Sequence, residues 1–96
     1  MHISEFQREI ERLYFTRDSE RGLGGTFMWF MEEVGELATA LRHGDRDELL
    51  GEFADVFAWL VTLASLKGID MEEAIRKYED ACPGCRKGPC ECDPKA

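Results

Sequence analysis

Residues 29–55, from Trp29 to Asp55, read WFMEEVGELATALRHGDRDELLGEFAD and carry acidic side chains in two groups: Glu32, Glu33 and Glu36, then Glu52 and Asp55. In a helix, residues three apart lie about 60° from one another around the axis and residues four apart about 40°, so each group points from one face. Between the groups, Arg42 and His43 precede Gly44, an ordinary helix ending, and Asp45 with Glu48 three residues on marks a new helix start. A joint this short favours antiparallel neighbours. The two acidic groups then converge, and four or five carboxylates with no basic residue among them repel one another unless a cation lies between them. Oxygen donors of this kind suit a hard divalent metal such as Mg²⁺.

A solvated helix face is the plainer account of any single pair of glutamates, but it explains less here. Glu33 and Glu36 adjoin Val34 and Leu37, and Glu52 and Asp55 are set among Phe53, Ala54, Val56 and Phe57. Aspartate is a poor helix-interior residue. The positions four residues beyond Glu33, Glu36 and Asp55, where a basic partner would stabilise each, hold Leu37, Ala40 and Trp59. Glu32 is as well suited to solvent or to a supporting place beside the metal as to ligation.

Working outward, Ile3, Phe6, Ile10, Leu13 and Tyr14 recur at helical spacing behind a Ser4/Gln7 capping box and predict a first helix over about 4–19. Gly22, Gly24 and Gly25 break the pattern, leaving Arg17, Asp18, Glu20 and Arg21 as close neighbours in a flexible connection. Thr26 is the expected N-cap of a second helix, with Phe27, Phe30, Val34, Leu37, Ala38 and Leu41 as its apolar stripe. The third helix runs from Asp45 to about Lys67, capped by Gly68, and from Val56 to Ala64 it is apolar on nearly every side. A small chain has little with which to surround such a helix, so a homodimer or homotetramer is expected. Asp70 and Glu73 open a fourth helix through Met71, Ala74, Ile75 and Tyr78, ended by Pro83 and Gly84.

With 96 residues there is room for one core. The expected fold is all-α, a four-helix bundle-like domain over residues 1–81 followed by a short Cys-rich tail over 82–96. Twelve basic against twenty acidic residues, a net charge of -8, argue against binding long nucleic acid through its phosphates. No uninterrupted apolar run reaches the length of a membrane span, and Glu5, Glu9 and Glu11 do not suit a signal peptide, so a cytoplasmic protein without a membrane partner is expected.

The stretch Glu32-Glu-Val-Gly-Glu-Leu-Ala38, followed after a short loop by Glu52-Phe-Ala-Asp-Val56 and an apolar helix, resembles the E-E-x-x-E … E-x-x-D signature of MazG-like nucleotide pyrophosphohydrolases. That all-α superfamily also includes dimeric dUTPases, dCTP pyrophosphatases and phosphoribosyl-ATP pyrophosphatases, and the likeness spans roughly residues 26–78. It implies Mg²⁺-dependent hydrolysis of a nucleoside triphosphate to the monophosphate and pyrophosphate. By family analogy Glu33, Glu36, Glu52 and Asp55 are the metal ligands. A carboxylate not saturated by metal can accept a proton from water, a catalytic role for which Glu32 and Glu33 are the candidates.

Related enzymes often place an Asn and basic residues near the end of the fourth helix, yet this chain contains no Asn. Phosphate recognition then falls to Arg21, Arg46, Arg76 or Lys77, each of which is equally an ordinary surface charge. Among the aromatic residues Trp29 lies off the main stripe and is the candidate for stacking on a base.

The tail carries all four cysteines, Cys82, Cys85, Cys90 and Cys92, among turn-forming Gly84 and Gly88. Four thiolates suit tetrahedral Zn²⁺, although C-x-C is an unusual half-site, and disulfides or free thiols remain open alternatives. His2 and His43 read as surface residues.

Three other functional classes bear on the same residues. One is a phosphoribosyl-ATP pyrophosphatase with a single substrate, and another is a non-catalytic helical module that joins subunits through the third helix. A di-iron carboxylate bundle is the third, and the Glu-x-x-His pairs it normally uses are missing.

Overall fold

The structure, a computed structural model, describes residues 1–94. Its elements are α1 (Ile3–His43), α2 (Arg46–Leu66), α3 (Met71–Ala74) and a 3₁₀ turn at Ile75–Tyr78, with no strand among the described residues. The all-α expectation holds, while the division into helices differs from the expected one.

The first two expected helices are one element interrupted at a single residue. Gly22 has φ 82° and ψ 171°, outside helical geometry, and the helix resumes directly after it. A side chain is strongly disfavoured in that region of backbone space, so glycine supplies the break without strain. Thr26, expected as an N-cap, instead lies buried inside the second arm with its hydroxyl donating to the Gly22 carbonyl at 2.8 Å. The capping box also moves: the His2 N–H donates to Glu5 Oε1 at 3.2 Å, and the Ser4 N–H reaches Glu72 Oε1 at 3.0 Å.

Gln7, freed from capping, is almost wholly buried and ties three segments together. Its amide donates to Ser65 Oγ and to the Ile69 carbonyl and accepts from the Met71 N–H, at 2.8–3.0 Å. The stacked rings of Phe6 and Phe57, 5.3 Å apart, join the same arm to α2.

The turn between α1 and α2 follows the sequence closely. Gly44 is extended, and its N–H bonds to the Ala40 carbonyl at 2.7 Å. A Cβ at Gly44 would come within 2.8 Å of that oxygen, so only glycine fits. Asp45 then caps α2 by accepting from the Glu48 N–H at 2.9 Å. Gly68, at φ 69°, ends the helix after Lys67.

The fourth helix is shorter than expected. Asp70 accepts from the Glu72 N–H as its cap, but one α-turn passes into the 3₁₀ turn, which ends at Tyr78 instead of running on toward Pro83. Ile75 and Tyr78 are exposed, so no apolar packing sustains a longer helix.

Burial is sparse. Ile10, Ala40 and Val61 are the buried apolar residues, whereas Phe27, Met28, Trp29, Met31, Leu50, Phe53 and Leu60 all lie exposed. Although no uninterrupted apolar run is that long, α2 meets the length and composition needed to cross a membrane when the interruptions at Glu52 and Asp55 are tolerated. The single chain buries 11% of that stretch.

The break at Gly22 makes a direct test of the fold. Gly22→Ala should cost about 1–3 kcal/mol in urea melts because its left-handed backbone conformation disfavours a side chain. Gly24→Ala, two residues on in regular helix with open space around it, should be neutral or stabilising by up to about 1 kcal/mol.

Candidate functional site

The short Gly44–Asp45 joint lays the second arm of α1 antiparallel to α2. Each of Glu33, Glu36 and Glu52 places a carboxylate oxygen within 4.8 Å of the others. Asp55 lies alongside, close enough that its charge raises the pKa of both Glu33 and Glu52. No ion pair neutralises any of the four among the described residues.

The consequence is electrostatic. Burial first, then the charges of Glu36 and Asp55, push the Glu33 carboxyl up to about 7, and the same causes raise Glu52. Glu33 Oε2 and Glu52 Oε2 are buried without a hydrogen-bond partner. Orphaned, negatively charged oxygens on facing helices are what a hard divalent cation would satisfy, so the residues fit such a metal. Glu32 is exposed and stands outside the cluster.

Two clefts flank the carboxylates. Glu36 and Glu52 open into one of about 280 Å³, shared with Thr39, His43 and Glu48. Asp55 opens into the other, about 300 Å³, lined also by Tyr14, Arg17, Asp18, Arg21 and Trp59. Arg21 is held in that second cleft: its Nη1 donates to Asp18 Oδ1 at 2.9 Å and to Thr26 Oγ1 at 3.3 Å, and its guanidinium lies 4.9 Å from the Trp59 ring centre. Trp29 stacks with Trp59, centres 6.3 Å apart. The Gly22 break lies between Arg21 and Thr26, the two residues that meet here.

Of the five side chains expected near substrate, Arg21 and Trp29 therefore belong to this neighbourhood. Arg46 and Lys77 do not. Arg46 is exposed at the start of α2 and lines neither cleft, and Lys77 lies over the Tyr78 ring, 5.2 Å from its centre. Arg76 lines a separate surface hollow with Glu72 and Glu79. Buried Asp18 and the side chains of Tyr14 and Trp59 were not legible as site residues. The three-residue spacing of Asp18 and Arg21, an i, i+3 ion pair, was the available signal.

At the other end of the chain, the sulfurs of Cys82, Cys85, Cys90 and Cys92 all lie within 4.8 Å of one another. The four cysteines are free, with no disulfide joining them in the structure. Backbone N–H groups, first that of Glu91, hold the Cys85 thiol down to about 6, whereas hydrogen bonding among the thiols pushes Cys92 up to about 11.

An all-α fold whose facing helices gather unpaired carboxylates beside a cleft of arginine and aromatic side chains defines a class: helical domains built to hold a divalent metal next to a polar substrate. The chain belongs to the MazG nucleotide pyrophosphohydrolase family, whose domain it matches over residues 24–85. It is 38% identical over 74 residues to a dATP/dGTP diphosphohydrolase of Cyanophage S-2L, an overlap covering 77% of this chain and 67% of the relative. It is also 32% identical over 79 residues to a histidine biosynthesis bifunctional protein of Aquifex aeolicus, spanning 78% of this chain and 38% of that protein. A phosphoribosyl-ATP pyrophosphatase of Ignicoccus hospitalis is 38% identical over 60 residues, 62% of this chain and 59% of the relative.

The raised Glu33 pKa fixes the sign of a pH effect. The folded protein keeps a proton up to about pH 7 that the unfolded carboxyl, at 4.5, releases earlier, so this group lowers stability as pH rises from 4.5 through 7. Thermal melts should show a divalent cation raising Tm more at pH 8 than at pH 5. Glu33→Gln should flatten the pH-dependent part, and an unchanged profile in that variant would remove Glu33 as its source.

Proposed function

We propose that this protein is a Mg²⁺-dependent nucleoside triphosphate pyrophosphohydrolase, converting NTP or dNTP and water to the monophosphate and pyrophosphate. The observation that carries the reading is the group of Glu33, Glu36 and Glu52 with two orphaned oxygens, beside Asp55. Glu33, Glu36, Glu52 and Asp55 are the proposed metal ligands. Mg²⁺, when bound, supplies charge neutralisation for the phosphate oxygens and makes a water more acidic.

What the chain itself supplies follows from the geometry. Glu33 is the proposed proton acceptor, since its Oε2 lies buried in the cluster without a hydrogen-bond partner. It is preferred over exposed Glu32 as proton acceptor. Asp55 borders both the carboxylates and the Arg21 cleft, so a triphosphate at the carboxylates directs its nucleoside toward Tyr14, Asp18 and Trp59. Arg17 and Arg21 offset the negative charge there, and the Trp29–Trp59 stack gives the cleft an aromatic wall. The dATP/dGTP activity named for the cyanophage relative supports purine nucleotides as the first substrates to try.

A second reading is a phosphoribosyl-ATP pyrophosphatase, which the Ignicoccus relative favours. Hydrolysis of that substrate with indifference to free nucleoside triphosphates would select it.

We further propose that the protein assembles as a homodimer or homotetramer, in which a second copy covers the exposed Phe53, Leu50 and Leu60 face of α2. Protein, not lipid, is the proposed cover, because Glu52 and Asp55 on the same helix turn to α1. The cytoplasm is the proposed compartment, since free thiols suit a reducing environment. Long nucleic acid is not a proposed partner, given the net charge of -8.

In assays with a panel of nucleoside and deoxynucleoside triphosphates, pyrophosphate should be the released product. Glu36→Ala and Asp55→Ala should each lower kcat by at least about 100-fold, in line with loss of metal-assisted charge stabilisation. Release of orthophosphate, or activity indifferent to both changes, would overturn the assignment. Light scattering should give a mass of two or four chains, and Phe53→Glu should shift it toward one.

A further inference from the structure

The family match ends at residue 85, yet a four-membered set of ligating atoms lies across and beyond that point. We propose that Cys82, Cys85, Cys90 and Cys92 form a closed, structural Zn²⁺ site that folds the tail independently of the carboxylate centre. The argument is geometric. Zinc binds thiolate sulfur at about 2.3 Å, and the edge of a tetrahedron with that radius is about 3.8 Å. Cys82 Sγ and Cys92 Sγ are 3.7 Å apart, and Cys85 Sγ and Cys90 Sγ are 4.0 Å apart. With all four sulfurs inside 4.8 Å there is space for one ion and no place for a fifth ligand, the arrangement of a structural site, not a catalytic one.

The backbone is shaped around those sulfurs. The Arg86 N–H bonds to the Cys82 carbonyl at 2.7 Å and the Cys82 N–H to the Lys87 carbonyl at 3.0 Å, closing the first half-site into a tight loop with Arg86 at φ 63°. The Glu91 N–H donates to Cys85 Sγ at 3.2 Å and the Cys92 N–H to Cys90 Sγ at 3.3 Å. Donors aimed at sulfur favour thiolates over thiols. Gly84 leaves room for the second half-site, since a Cβ there would sit 3.0 Å from Cys92 Sγ.

Nothing else in the tail accounts for this order. No residue from Cys82 to Pro94 is fully buried, so no apolar core holds the segment. Metal binding can supply folding free energy directly, as it does for other small thiolate sites. Binding is Zn²⁺ plus four thiols giving one tetrathiolate complex and, at most, four protons released to water. The complex carries two negative charges; Arg86 is adjacent in the loop, while Lys87 Nζ is paired with Glu91 Oε2 at 2.6 Å. Thiolate sulfur suits Zn²⁺ and carboxylate oxygen suits Mg²⁺, so the two sites do not compete.

Full-length protein purified under reducing conditions should contain one zinc per chain by elemental analysis. Replacement by Co²⁺ should give the sulfur-to-metal charge-transfer absorption and intense visible bands of a tetrahedral tetrathiolate. Cys85→Ser/Cys92→Ser should abolish that spectrum while leaving the helical circular dichroism intact, and Glu36→Ala should leave the spectrum unchanged. Hydrogen exchange over residues 82–92 should speed up when zinc is removed, with the α1–α2 region unaffected. Absence of stoichiometric metal in the reduced protein, bound iron in place of zinc, or a cobalt spectrum that survives the double change would each overturn the site. None of these readouts depends on nucleotide hydrolysis, so the two proposals fail separately.

Discussion

Mutual repulsion among Glu33, Glu36, Glu52 and Asp55 is the constraint around which this small fold is arranged. Two helices meet at a short glycine turn, and their packing brings these carboxylates together with no ion pair to relieve them. In a chain whose buried apolar residues are Ile10, Ala40 and Val61, such a conflict is not hidden by a large core. Repulsion of this kind persists where a ligand resolves it, and it is the physical content of calling the cluster a functional site.

The rest of the chain supports that meeting point from outside. Gln7 pins the first arm of α1 to the end of α2 and the start of α3, and the Gly22 break separates the second arm from the first. Arg21, just before the break, is drawn over Trp59 and against Asp18 instead of projecting into water. The arginine-containing cleft and the anionic cluster thus share Asp55 as a boundary. Arg17 and Arg21 balance Asp18 and Asp55 on the cleft side, so the unrelieved negative charge is confined to the carboxylate cluster.

How much of this was legible in the sequence depended on whether a signal was local. The Gly44–Asp45 joint, the Asp45 cap and the Gly68 ending are read from a few adjacent residues, and all three appear in the structure. The convergence of Glu33, Glu36 and Glu52 followed from helical period plus a short turn, so it was legible too. Gln7 was misread because its partners, Ser65, Ile69 and Met71, lie about sixty residues away, and a capping motif can be satisfied by a neighbour such as Glu5. The three glycines signalled a break, but which of them left helical geometry depended on the packing of Thr26, a tertiary matter. Only charge marks Arg46 and Lys77 in the sequence, and charge carries no information about distance.

The chain also sorts two metal chemistries by donor type. Its hard oxygen donors come from two separate helices, within residues 33–55, so that centre exists only when α1 and α2 have packed. The soft sulfur donors come from eleven consecutive residues and need only local turns. Loop closure costs less when ligands are near in sequence, so the tail can organise around an ion with little help from the helices. The carboxylate centre has no such independence: whatever loosens the α1–α2 contact separates its ligands. If a second copy covers the exposed face of α2, as proposed, assembly and metal binding act on the same helix pair, and each should stabilise the other by the ordinary rules of linkage.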